Sequence, residues 1–336
     1  MNVPFLRGLA LVSLMGSVGC DSAVSHYGEE MGGTSGTAGK GGSAGTTGGS
    51  AGRGGANTGG ILGGGTGGSV GEAGAGATGG EIVIGEHGCT PGRMTTMGEL
   101  RGQYESTKPT VDGKEYFLQV NEWNSMATQV MAYGGEYFFK MTQQDGMAAT
   151  NGSPTGYPSM FIGANAGNVT MGSNLPKQVS ALTSVPTTWA WNDNGLMADT
   201  TTNIWNSTYD VWFSTNAAGE PNGFGPSGGY LMVWLYDPPS AQPIGRPMAM
   251  GVSVDGVDGT WDVWIGQNGS RPCISYVRTE PSLVLSTDLN FFIKDAVANR
   301  PNTISNDWYL SNVFIGFEIW SGGAGLETTS FCVTVN

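Results

Sequence analysis

The residues that usually do chemistry are scarce in this chain. Only two histidines, His26 and His87, occur among 336 residues. Ser-His-Asp and Cys-His catalysis, and any site needing several imidazole ligands, are therefore out. None of the four cysteines has a CxxC partner, so no zinc site is expected. No phosphate-cradling GxxxxGK[ST] loop occurs, and neither metal nor cofactor is expected. What the chain does carry is aromatic rings and carboxylates. Asp plus Glu is 27 against 14 Lys plus Arg, a net charge of -13. That leaves no basic stripe for a phosphate backbone, which argues against nucleic acid as a partner.

All ten tryptophans fall between Trp123 and Trp320, several of them in short alternating runs. In an extended strand the side chains alternate between two faces. Tyr209, Val211 and Phe213 then share one face, with Asp210 and Trp212 on the other. Tyr230, Met232, Trp234 and Tyr236 share a face, as do Glu318 and Trp320. Sugar rings offer flat C–H faces to aromatic side chains, and carboxylates accept their hydroxyls. A secreted sheet lined this way suits a polysaccharide, whereas for any single tryptophan core packing is the simpler role.

These faces need strands to hold them. Runs rich in aromatic and β-branched residues recur at 116–120, 136–141, 206–213, 230–235, 261–265, 273–277 and 314–320, broken by Gly, Asn, Pro and Asp. That pattern predicts an all-β antiparallel sandwich or jelly roll. One stretch differs. From Thr287 to Asn299, Leu289, Phe292, Ile293, Ala296 and Val297 stand at helical spacing, with Ser286 or Thr287 as the expected N-cap. No fixed-period repeat occurs, which excludes propellers and solenoids.

The first 80 residues are built differently. Glycine, 58 in all, crowds between Met31 and Gly80 without a collagen period. Such a segment buries too little apolar surface to offset the entropy of ordering, and residues 21–80 read as a flexible tether. Before it, Arg7 closes a basic start, and Gly8 to Val18 is apolar but too short to span a bilayer. The end of this segment, Gly16-Ser17-Val18-Gly19-Cys20, resembles the lipobox of bacterial lipoproteins, though Ser17 stands where an aliphatic residue is preferred. Residues 1–20 are thus expected to be a signal peptide, with Cys20 the lipidated residue; ordinary cleavage near Gly19 is the alternative. The protein is expected outside the cytoplasm, held at the outer surface by a lipid. Residues 81–336 form the folding domain. Export permits disulfides. Three cysteines leave the connectivity open, and Cys273 with Cys332, both in strand-like runs, is the expected pair.

Several motifs in order resemble glycoside hydrolase family 12. The run Gly316-Phe317-Glu318-Ile319-Trp320-Ser321-Gly322-Gly323 resembles that family's acid/base strand. Asn121-Glu122-Trp123 is similar to its Asn-x-Trp at a sugar subsite, and Tyr157-Pro158-Ser159 to its Tyr-Pro-Ser turn. Asn206 to Phe213 resembles its Asn-x-x-Tyr-Asp-Ile-Trp strand, and Gln242-Pro243-Ile244-Gly245 a loop that crosses its cleft. The resemblance implies a concanavalin A-like β-jelly roll with a concave groove, acting as a monomer on β-1,4-glucans such as cellulose, mixed-linkage glucan or xyloglucan. It implies Glu318 as acid/base, Asp210 as the auxiliary carboxylate, and Asn121, Trp123, Asn206, Met232, Trp234 and Trp320 as substrate contacts.

The chain departs from the family at the nucleophile. The family strand reads Glu-x-Met-x-Trp; here Tyr230 precedes Met232 and Trp234, so a phenol stands at the glutamate's position. A phenol of pKa about 10 is a poor nucleophile at neutral pH. Asp237 is the next carboxylate along, but simple alternation puts it on the opposite face from Tyr230. Asp210 activating a water opposite Glu318 would make an inverting scheme, with carboxyls about 6.5–9.5 Å apart. The other outcome is a groove that still binds glucan without turning it over.

Overall fold

The computed structural model describes residues 84–123, 128–145, 152–218 and 226–336. The signal segment, Cys20 and the glycine tether lie outside the described residues. What is described is two stacked sheets, two short two-stranded sheets and one α-helix. The smaller sheet runs Gly98–Leu100, Gln129–Gly134, Tyr137–Gln144, Glu327–Val333, Pro186–Asn192 and Val284–Asp288. The larger runs Arg246–Val252, Trp261–Asn268, Arg271–Arg278, Tyr230–Tyr236, Ser207–Ser214, Tyr309–Gly316, Ser159–Asn165, Phe117–Gln119 and Ser106–Thr107. This is the expected jelly-roll sandwich. One pairing departs from the antiparallel expectation, because Tyr230–Tyr236 runs parallel to Arg271–Arg278.

Alternation decides what each sheet buries. From the larger sheet Tyr209, Val211, Leu231, Val233, Ile274, Val313 and Ile315 point into the core, where they meet Trp189, Trp191 and Phe331 of the smaller one. Trp189 packs edge-on against Tyr209 at 5.3 Å, and the Tyr209 hydroxyl lies 3.2 Å from that of Thr187. The buried phenol finds a partner across the sheets and avoids the cost of an unpaired polar group. The intervening residues of the larger sheet, including Phe161, Trp212, Tyr230, Met232, Trp234, Cys273 and Phe314, form a second cluster on its outer face, which Trp320 joins from outside that sheet.

Three sequence expectations change here. The helix is Asn290–Asn299, not Thr287 onward, because Val284–Asp288 pairs as a strand with Pro186–Ala190. Asp288 takes the capping role: its Oδ1 accepts from Asn290 N at 2.9 Å and from Val185 N at 2.6 Å. The 314–320 run is not one strand. It breaks at Phe317 and Glu318, and Ile319–Ser321 turns away to pair with Ile204–Trp205. The disulfide joins Cys89 to Cys332, not Cys273 to Cys332. Phe331 and Val333 face the core, so Cys332 faces out of the smaller sheet, whereas Cys273 is buried on the outer face of the larger one. The whole core separates the two sulfurs. Cys89 reaches Cys332 because the N-terminal segment crosses the smaller sheet, with Gly85 N donating to Ser286 Oγ and Cys89 N to Thr188 Oγ1.

Candidate active site

The outer face of the larger sheet carries the candidate residues in rows. In strand register Trp212 lies opposite Tyr230, Asp210 opposite Met232 and Thr208 opposite Trp234. On the far side Tyr230 adjoins Cys273, Met232 adjoins Ser275 and Trp234 adjoins Val277. On the near side Asp210 lies opposite Phe314, and Phe314 opposite Phe161. The Asp237–Gly245 loop lies over this face, with Ala241 and Ile244 buried in the same cluster. Gly245 lets it seat: φ is +96°, and a Cβ there would lie 2.1 Å from the Ile265 carbonyl oxygen.

Glu318 sits where the strand breaks, and the break aims it. It is fully buried, and its carboxyl titrates well above the ordinary range. Burial is the main cause, the charge of Asp210 adds to it, and the Asn206 hydrogen bond opposes both. Asn206 Nδ2 donates to Glu318 Oε2 at 2.6 Å, and Glu318 N donates to Asn206 Oδ1 at 2.9 Å. Asn206 N also donates to the Glu318 carbonyl at 3.0 Å. Asn206, expected at the substrate, is therefore a positioning residue: it is fully buried and its amide is spent on Glu318. The other carboxyl oxygen, Oε1, has no hydrogen-bond partner among the described residues. A protonated carboxyl with one oxygen held and one available is what a general acid requires.

Tyr230 lies in the cluster on the same face. It is fully buried, and its ring stacks on Trp212 at 4.1 Å and 18°. The Cys273 thiol is in hydrogen-bond contact with Tyr230 and Ser275. Burial pushes that thiol up to about 12, and the charges of Asp210 and Glu318 push the same way, so it stays protonated. Asp210, nearly fully buried, is the carboxylate that shares its field with Glu318.

The expected sugar contacts separate. Trp123 is half-buried on the margin of the cluster. Trp234 and Trp320 lie within it, ring centroids 6.5 Å apart, and face away from the core between the sheets. Trp320 Nε1 donates to the Gly152 carbonyl at 2.8 Å, while Nε1 of Trp123 and of Trp234 is buried without a hydrogen-bond partner among the described residues. Met232 is in the floor beside Asp210. Asn121 has φ +50°, an αL bend that passes its carbonyl to Tyr157 N at 2.9 Å and sends Trp123 toward the face. Among the described residues no three of His, Cys, Asp and Glu come together as metal ligands.

Alternation alone misplaced two residues. A register shift between Ser207 and Thr208 lets Leu235 bulge, and Tyr236 turns into the core against Trp205 at 4.7 Å. Alternation then resumes out of phase, and Asp237 lies close enough to Asp262 to feel its charge. Trp264 is a residue that the sequence reading did not place. It is half-buried and packs on the same cluster, yet only its pairing with Ser275 places it there.

This arrangement has counterparts. The model of glycosyl hydrolase family 12 matches residues 114–336. The chain belongs to glycosyl hydrolase family 12. Probable cellulase Cel12b of Mycobacterium tuberculosis is 33% identical over 166 residues, 49% of this chain and the whole of that protein. The xyloglucan-specific endo-β-1,4-glucanase A of Emericella nidulans is 34% identical over 163 residues, 47% of this chain but only 62% of that protein. Endoglucanase cel12A from Rhodothermus marinus superposes with a TM-score of 0.61 at 36% identity, covering 71% of this chain and 98% of that one.

Proposed function

We propose that this family member hydrolyses β-1,4-linked glucans slowly, without the usual glutamate nucleophile. Glu318 gives its proton to the leaving glycosidic oxygen, and Asp210 is the base that activates water, an inverting scheme. The observation that carries this reading is a pair of buried carboxyls on the aromatic face, Glu318 held by Asn206 and Asp210 in register with Met232. Burial, then the charge of Asp210, raises the Glu318 carboxyl well above its ordinary range. Trp123, half-buried at the margin of the cluster, offers a face to a sugar ring, while Trp234 and Trp320, both buried, build the floor. Cellulose, mixed-linkage glucan and xyloglucan all fit this chemistry. We further propose an exported monomer whose residues 1–20 direct export, whose Cys20 carries a lipid, and whose glycine-rich 21–80 tethers the catalytic domain at the outer surface.

The test is release of reducing ends from soluble β-glucan and xyloglucan by the full chain, with Glu318→Gln as control. Loss of a general acid lowers the rate by about 10²–10⁴-fold, and inversion appears as the opposite anomer in the first product. Unchanged turnover in Glu318→Gln would remove that residue from the chemistry. A second reading, glucan binding without turnover, is favoured by Tyr230 itself, whose ring is locked on Trp212. Saturable binding with no product would select it.

A further inference from the structure

The groove occupies one face of the sandwich; the outer face of the smaller sheet, on the other side, carries a hollow of its own. A cavity of about 400 Å³ is lined by Arg93, Met94, Glu136, Tyr137, Phe138 and Thr329. Three elements wall it. Thr328 pairs with Phe139, whose ring meets Phe317 in the core, so Phe138 and Thr329 turn outward. The turn at 135–136 closes a second side, with Gly135 at φ +85°. The N-terminal segment closes the third. The Cys89–Cys332 bridge pins it to the sheet, and at Gly92 it runs so close to a neighbouring turn that a Cβ would lie 2.0 Å from Asp112 Oδ2.

The lining is amphipathic. Met94 and Phe138 are buried and form the floor, Tyr137 is half-buried, and Arg93 and Glu136 are exposed at the rim. Ion pairs among the described residues join Arg101 to Glu99, Lys140 to Glu327 and Arg300 to Asp295, which leaves Arg93 and Glu136 to a ligand. The volume is that of a small-ligand site, about 300–1,000 Å³. An anion would meet Glu136 and the field of a chain with a net charge of -13. An apolar molecule would strip water from two charges without pairing them. A neutral pyranose uses every group: its C–H face covers Tyr137, and its hydroxyls donate to Glu136 and accept from Arg93.

We propose that this pocket is a second glucan-binding site, on the sheet opposite Glu318, that holds one polymer chain while the groove engages another. The proposal takes its ligand class from the glucan reading of the groove. The core lies between the two sites, so no straight stretch of one chain fills both. The gain is avidity: a domain already held on a polymer meets the next chain at a raised effective concentration.

The experiment is electrophoresis of the full chain, with Glu318→Gln to prevent turnover, through gels containing soluble mixed-linkage β-glucan. Tryptophan fluorescence is titrated with cellohexaose alongside, and melting temperatures are recorded. The groove carries tryptophans and the pocket lining none, so fluorescence reads the groove while retardation reads both sites. Tyr137→Ala removes one stacked ring and should weaken retardation about two- to tenfold, leaving the fluorescence titration unchanged. Tyr137→Phe keeps the ring and should recover most of the loss. If Tyr137→Ala melts early, Glu136→Gln, at an exposed position, carries the test, with the same selective loss expected. Unchanged retardation in every folded variant, or equal weakening of both readouts, would overturn the pocket and leave the groove reading standing. Retardation that Tyr137→Ala abolishes, with no fluorescence response to cellohexaose, would overturn the groove reading instead. No retardation of the parent protein would overturn both.

Discussion

Tyr230→Glu is the change that bears most directly on how this site works. In register the new side chain stands between Trp212 and Cys273, diagonal to Asp210. It replaces a fully buried ring stacked at 4.1 Å on an indole. Removing a buried aromatic ring costs about 3–5 kcal/mol, and the lost stacking is about 0.5–1.5 kcal/mol of that order. At about 2–4 °C per kcal/mol for a domain of this size, the melting temperature should fall by roughly 6–20 °C. The incoming carboxyl joins Asp210 and Glu318, whose charges already raise the Cys273 thiol beside it. Like charges disfavour ionisation, so Glu318 should hold its proton more firmly in the variant. A carboxylate under the anomeric carbon also permits a covalent route with retention, at a carboxyl separation of about 5–5.5 Å. We expect at least about a tenfold gain in rate, equivalent to roughly 1.4 kcal/mol of barrier. The first product should switch from the inverted to the retained anomer. Reducing-end release, the anomeric NMR signal of early product and a thermal melt decide it. A fast parent enzyme that Tyr230→Phe silences without unfolding would refute the reasoning, because Tyr230 would then be catalytic itself. A folded Tyr230→Glu protein without any gain would show that this register does not place a carboxylate at the reacting carbon.

Two further outcomes follow from the same packing. Cys89→Ser opens a bridge between residues 243 apart in sequence and should cost about 3–5 kcal/mol in chemical denaturation. Turnover per folded molecule should stay unchanged, since the bridge lies on the other sheet, and a selective loss of activity would contradict that separation. Asp237→Asn should alter the pH dependence of stability. Burial, then the charge of Asp262, raise the Asp237 carboxyl to about 7. The unfolded value is about 3.9, so between these values the folded state keeps a proton that the unfolded state releases, and stability falls as pH rises. The variant should melt with the parent near pH 3 and several degrees above it at pH 8; parallel curves would refute the assignment.

Much of the site was readable along the chain because strand alternation is local. It put Tyr230, Met232 and Trp234 on one face and Asp210 with Trp212 on another strand's matching face, as observed. The motif order placed Glu318 among them. The glycine content separates the first 80 residues from the rest for the same local reason, the absence of apolar side chains to bury.

What alternation could not contain is pairing. The bulge at Leu235 exists because Tyr236 pairs with Ser207 while Trp234 pairs with Thr208, and that register belongs to a different strand. It turned Tyr236 inward and brought Asp237 beside Asp262, where one residue of phase reverses every later side chain. The break at Glu318 likewise follows from Ile319–Ser321 pairing with Ile204–Trp205, and it is this break that hands the carboxyl to Asn206. Trp264 joins the site only through the chain of neighbours from Asp210 across three strands. Cys89 and Cys332 meet because the N-terminal segment lies across a sheet built 243 residues later. A strand's own residues determine which side chains share a face. Hydrogen-bonded partners distant in sequence determine where that face begins, where it slips and what lies beside it, and those contacts exist only once the chain is folded.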